Sequence, residues 1–90
     1  AANAQYWLGE TFYVRNQYER AARVFAEAYQ KFPQGPKGAD SLLKLGMSLS
    51  GMDKKEDACL TYKQLVKEYN RGPAPVLSRA EEAMRQLHCR

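Results

Sequence analysis

The side chains best suited to chemistry are few: one histidine, His88, and two cysteines, Cys59 and Cys89, in a chain of 90 residues. A hydrolase or transferase needs a nucleophile with a base placed beside it. The single imidazole stands at the chain's end, and no motif brings a Ser or Cys to it. A metal would need three or four ligands at recognisable spacing, and neither CxxC nor HxxxH occurs. No glycine-rich phosphate loop follows a strand, because no strand pattern is present. No catalytic, metal or cofactor-binding residue is therefore expected, and His88 reads as an exposed helix-end residue. What the two cysteines can do is join, and whether they meet depends on the elements that carry them.

Those elements repeat. Sliding the sequence against itself gives one outstanding offset, 37 residues, at which Leu8 and Gly9 fall on Leu45 and Gly46, Phe12 on Leu49, Asn16 on Asp53, Glu19 on Glu56, Ala21 on Ala58, Phe25 on Tyr62, and Phe32 on Tyr69. Self-similarity at a period of this size marks a solenoid of supersecondary units. Each unit reads as two helices. In the second of each, Ala21, Phe25, Ala28 and Phe32 repeat as Ala58, Tyr62, Leu65 and Tyr69, the spacing that puts all four on one packing face. Asn16 before Glu19, and Asp53 before Glu56, have the spacing of a capping box, with Gly51 ending the helix before the second one. Gly9 and Gly46 lie inside helices, where each costs about 1 kcal/mol relative to Ala. Close approach of two helix backbones is the expected compensation. The segments Pro33 to Gly38 and Asn70 to Pro75 break the pattern and serve as inter-repeat turns. After them Leu77, Ala80, Ala83, Met84 and Leu87 keep helical spacing, with Pro75 suited to a first helical turn.

The fold expected is thus all-α, a helical solenoid fragment of two antiparallel helix pairs plus a C-terminal capping helix. Its boundaries are repeat one at about 2–34, repeat two at about 38–71 and the capping helix at about 75–88, within one domain spanning 1–90. Hydrophobic residues at 44% and charged residues at 27% suit a small globular chain. The net charge of +4 is scattered along the helices. It forms no basic stripe with exposed aromatics, so nucleic acid is not an expected partner. No apolar run approaches a membrane span and no signal-peptide order appears, so no direct membrane insertion is expected. The opening AANAQYWLGE starts in mid-pattern, which suggests a domain excised from a longer chain.

The residues of both units resemble the tetratricopeptide repeat, whose unit of about 34 residues carries Leu-Gly and an aromatic in its first helix and Ala, Phe, Ala in its second. Leu8, Gly9, Phe12, Ala21, Phe25, Ala28 and Pro33 match in repeat one, with Gln5 in the place of the usual Trp. Repeat two is looser, since Leu65 replaces the second Ala and Asn70 the Pro. NAQYWLGETFYV, SLLKLGMSL and the Ala58-Cys59 pair further resemble the C-terminal domain of the periplasmic YbgF/CpoB family of the Tol-Pal system. That resemblance implies a periplasmic module binding the envelope-spanning subunit of the Tol system, with the peptidoglycan synthase machinery as a further partner. It also implies a role coordinating outer-membrane constriction with peptidoglycan synthesis in cell division, an upstream segment that makes a homo-oligomer, and one more repeat upstream, which Trp7 would face.

In this architecture one side of each first helix lines a concave groove. That side should carry Asn3, Tyr6, Glu10 and Tyr13 in repeat one and Asp40, Leu43, Met47 and Ser50 in repeat two, an aromatic, aliphatic and weakly acidic lining. Tyr13 and Met47 are its expected centre. Their bland alternative is packing, Tyr13 over Tyr18 and Met47 between repeats. Two rival functions remain beside the adaptor: a self-association unit whose exposed ends stack on other copies, and an adaptor of another envelope or cytosolic complex. Antiparallel pairing of the fourth and fifth helices places Cys59 within a turn of Cys89, so a disulfide between them is expected. In a reducing compartment both would instead remain thiols.

Overall fold

The computed structural model describes residues 2–90, and Ala1, at the head of the expected 1–90 domain, lies outside them. Helices α1 (Ala2–Val14), α2 (Tyr18–Lys31), α3 (Gly38–Gly51), α4 (Lys55–Glu68) and α5 (Ala74–Leu87) follow one another. Each packs on the next, and α5 folds back to touch α3 as well. The fold is all-α as expected: two helix pairs and a closing helix, with extents of 34 × 29 × 18 Å.

The turns within the pairs are built differently from the capping boxes expected. Asn16 and Asp53 adopt the left-handed conformation, with φ of 62° and 61°, and end the preceding helices instead of starting the next. The amide of Asn16 donates to the Tyr13 carbonyl and that of Gln17 to the Phe12 carbonyl. Asp53 and Lys54 repeat this with Ser50 and Leu49. This is the Schellman arrangement, which satisfies the last free carbonyls of a helix and favours Gly or Asn at its left-handed position. His88, at φ 56°, closes α5 the same way through Arg85 and Met84. The N-caps of α2 and α4 are Gln17 and Lys54, with no side-chain cap bond. Gly51 is the last residue of α3 and not a terminator.

Two apolar clusters form the core. One gathers Ala39, Leu42, Leu43, Ala58, Tyr62, Leu65, Val76 and Ala80 across α3, α4 and α5. The other gathers Tyr6, Ala21 and Phe25 across α1 and α2, with Leu45 of α3 packed against both. The expected stripe of α2 holds through Ala28, but Phe32 lies past the helix end and is 38% exposed. Its repeat partner Tyr69 does pack, and its hydroxyl donates to the Pro33 carbonyl at 2.7 Å. Tyr29 of α2 donates to the Glu68 carboxylate, and Gln64 donates to the Tyr29 hydroxyl at 2.9 Å, so the two second helices are tied together.

Leu8 departs from the core stripe assigned to it and is 47% exposed. Its repeat partner Leu45 is covered because α2 lies against α3. Among the described residues no helix takes that place against α1. Trp7, the preceding position of α1, is exposed as well, stacked edge-on against Tyr6 at 5.1 Å with the Lys37 ammonium 5.4 Å from its ring centre.

Candidate protein-binding groove

Where α5 folds back over α3, it leaves a groove of about 590 Å³ between itself, α3 and the end of α1. Leu43, Tyr62, Ala83 and Leu87 give it an apolar floor, and Tyr13, Met47, Ser50, Arg79, Glu82 and Gln86 stand around it. Of the expected lining residues, Tyr13, Leu43, Met47 and Ser50 are brought together there. Leu43 is there as a buried core residue. Helical geometry explains the selection: Leu43, Met47 and Ser50 are spaced four and three apart and share one face of α3.

The other four lie elsewhere. Tyr6 is a core residue, 6% exposed, with its ring 5.6 Å from that of Phe25. It is turned inward because α2 passes beneath it, so it cannot be a surface anchor. Asn3 is exposed near the start of α1, and Asp40 is half-buried in the first turn of α3. The Glu10 carboxylate is held by Lys44, whose ammonium lies 3.0 Å away and 5.0 Å from the Tyr13 ring centre. The lining is therefore not weakly acidic as expected, because Glu10 is neutralised and α5 adds Arg79. Tyr13 unites two readings: its ring meets Tyr18 edge-on at 5.4 Å and it also lines the groove. Met47 likewise packs on the core and faces the opening.

The residues missed are those of α5. The helix was visible in the sequence as a cap through the stripe of Leu77, Ala80, Ala83, Met84 and Leu87, but of these only Ala80 is buried, the other four are partly covered, and Val76, outside that spacing, is buried beside it. Arg79, Glu82 and Gln86 keep helical spacing on the flank of that stripe, and this was the signal that could have placed them on the groove wall.

Two buried tyrosines, Tyr62 of the groove floor and Tyr6 of the core beyond it, carry a pH signature. Burial, and then the proximity of Tyr13, push the Tyr62 hydroxyl from the ordinary 10.0 up to about 12, with Arg79 opposing. Burial, then the charges of Glu10 and Asp40, do the same for Tyr6. In the unfolded chain these groups ionise first, so between pH 10 and 12 the unfolded state binds fewer protons and stability falls as pH rises. The contribution is complete below pH 10, and each of the two buried tyrosines forfeits roughly 2 kcal/mol across the window. Urea unfolding at pH 9, 10 and 11 measures this. Equal stability at all three would mean that the rings are not held out of water.

The same repeating core is recognised by comparison with known families. The model of the tetratricopeptide repeat matches residues 3–35 and again residues 40–69. The chain belongs to the tetratricopeptide repeat family. A comparison with curated proteins returns no match. Tetratricopeptide repeats form a non-catalytic protein-interaction fold, so the groove belongs to a module whose partners are proteins. Among the described residues no helix is long and apolar enough to cross a membrane.

Cys59 and Cys89 are joined by a disulfide, with their Cα atoms 5.6 Å apart. It fastens the end of α5 to α4, and neither cysteine lines the groove. Lys63 of α4 reinforces the same corner by donating to the Arg90 carbonyl.

Proposed function

We propose that this tetratricopeptide repeat chain is a periplasmic adaptor of the YbgF/CpoB kind. It receives an amphipathic segment of the Tol system's envelope-spanning subunit in the groove between α1, α3 and α5. In this role it coordinates outer-membrane constriction with peptidoglycan synthesis during cell division, and multivalence comes from an upstream oligomerising segment. The observation that carries the binding reading is the groove itself, an apolar floor rimmed by Tyr13, Met47 and polar side chains. Aromatic and methionine side chains around an apolar trough are the usual energetic centre of peptide-binding surfaces. The Cys59–Cys89 bond supports the location, because structural disulfides persist in oxidising compartments. The segments NAQYWLGETFYV and SLLKLGMSL support the family.

The test is calorimetric titration of the domain with the periplasmic part of that subunit. Tyr13→Ala combined with Met47→Ala should weaken binding by about 2 kcal/mol or more. Because both residues also touch the core, Ser50→Tyr is the cleaner companion: it fills the groove and removes no core atom. Full affinity in a folded Ser50→Tyr variant would move the binding site off the groove.

One observation favours a second reading. Trp7 and Leu8 are 55% and 47% exposed on adjoining positions of α1, a surface suited to self-association. Size-exclusion across a concentration series separates the two, since stacking gives dimers that dissociate on dilution and the adaptor stays monomeric until its partner is added.

A further inference from the structure

The groove is not electrically neutral, and the imbalance comes from one residue. Of its charged wall residues, Glu82 is tied to Arg85 at 2.6 Å. Just beyond the wall, Glu10 is tied to Lys44 at 3.0 Å. Arg79 has no ion pair among the described residues, and its side chain lines the groove together with Tyr13, Met47 and Leu43. Its charge is felt by Tyr6, Tyr13 and Tyr62, against the upward push of burial on each. An uncompensated guanidinium at the rim of an apolar trough is a receptor for a planar anion, because its fork of N–H groups matches a carboxylate in two-point fashion.

We infer that Arg79 selects the groove's occupant, an amphipathic peptide segment carrying an Asp or Glu side chain beside the apolar residues that fill the floor. The inference rests on the groove reading above and deepens it by naming the chemistry of the segment received. The pattern required is explicit: two or three large apolar side chains on one face for Leu43, Met47 and Ala83, and one carboxylate on the flank that meets α5. Basic segments are disfavoured, since the only free charge they would meet is Arg79. The chain's net charge of +4 adds a weaker, salt-screened preference of the same sign.

The probe is a displayed library of random 14-residue peptides selected on the intact, disulfide-bonded domain. Groove binders are recognised by their loss on the Ser50→Tyr variant. Each is then synthesised with its acidic residue intact and with Asp→Asn or Glu→Gln in its place. On the unmodified domain the acidic peptide should bind about tenfold more tightly than its amide copy, the size expected when a charge-assisted hydrogen bond becomes a neutral one. On Arg79→Gln the two should bind equally, at the level of the amide copy, with the melting temperature unchanged because Arg79 is exposed. Arg79→Lys should keep part of the preference. Groove binders whose amide copies bind as well as the acidic originals would overturn the role of Arg79 and leave the groove standing. Peptides that bind Ser50→Tyr undiminished would remove the groove as the binding site and this inference with it.

Discussion

Replacing Cys59 and Cys89 together by serine is expected to lower the unfolding free energy by about 3 to 4 kcal/mol, the loop-closure entropy of a cross-link spanning 30 residues. For a domain of this size that is a large share of total stability, and it should lower the melting temperature by about 15 to 25 °C. The cost falls unevenly. Helix α5 rests on α4, touches α3 lightly, and has only Val76 and Ala80 as buried residues. The bond holds its far end. Without it α5 should fray before the rest of the domain unfolds, and Arg79, Glu82 and Gln86 would leave the groove wall with it. Partner affinity should therefore fall even at temperatures where circular dichroism still reports most of the helix. Cys59 is buried, so serine there carries a small polar cost of its own. Melting the unmodified domain with and without reductant removes that term. Reduced and oxidised domains melting within about 2 °C of each other would mean that packing alone secures α5.

The sequence made the helices and their order legible because the apolar spacing is strongly periodic and occurs twice. Eight residue classes recur in register at one offset, which fixes the pairing of helices without any knowledge of a family. The turns were misread because Asn and Asp serve both ends of helices. As N-caps they accept from the next helix, and as left-handed C′ residues they let the previous one close. Spacing to a later Glu cannot separate these uses. The backbone signs at Asn16 and Asp53 decide for the second.

The groove was half legible for a related reason. Counting along α1 and α3 finds the side turned toward the groove, but which of its residues remain accessible depends on how closely the neighbouring helix approaches. Tyr6 is drawn into the core by Phe25, whereas Tyr13, two turns later, is left at the rim. The contribution of α5 was hidden because it depends on the angle at which that helix returns over α3, a tertiary quantity that periodicity does not carry. Leu8 illustrates the converse. Its pattern is that of a buried residue, and the reason it is exposed lies in the absence of a covering helix among the described residues and not in its own environment.

The glycines were recognised as needing a close neighbour, but the neighbour is a ring and not a backbone, and this determines what a substitution at Gly46 should do. A Cβ at Gly46 would lie 2.5 Å from Cε1 of Tyr62 and 2.9 Å from its Cδ1 and Cζ. Tyr62 is 2% exposed and shares its cluster with Leu42, Leu43, Ala58 and Leu65, so the ring has nowhere to retreat within a close-packed interior. Gly46→Leu gains about 1 kcal/mol of helix propensity. Against that it must displace the central ring of the larger core, a loss approaching that of removing a buried aromatic, about 3 to 5 kcal/mol. A net destabilisation of about 3 kcal/mol is expected. Gly51→Leu is the matched control, because a Cβ there would also meet an aromatic ring, Tyr18, at 2.8 Å. Gly51 is exposed and Tyr18 only half-buried, so that ring can swing into solvent and the propensity gain offsets most of the strain. Urea midpoints of the two variants, compared with the unmodified domain, should differ by about 3 kcal/mol once multiplied by the common slope. Equal midpoints would mean that Tyr62 is free to move and that the tight crossing of α3 and α4 is not what Gly46 secures.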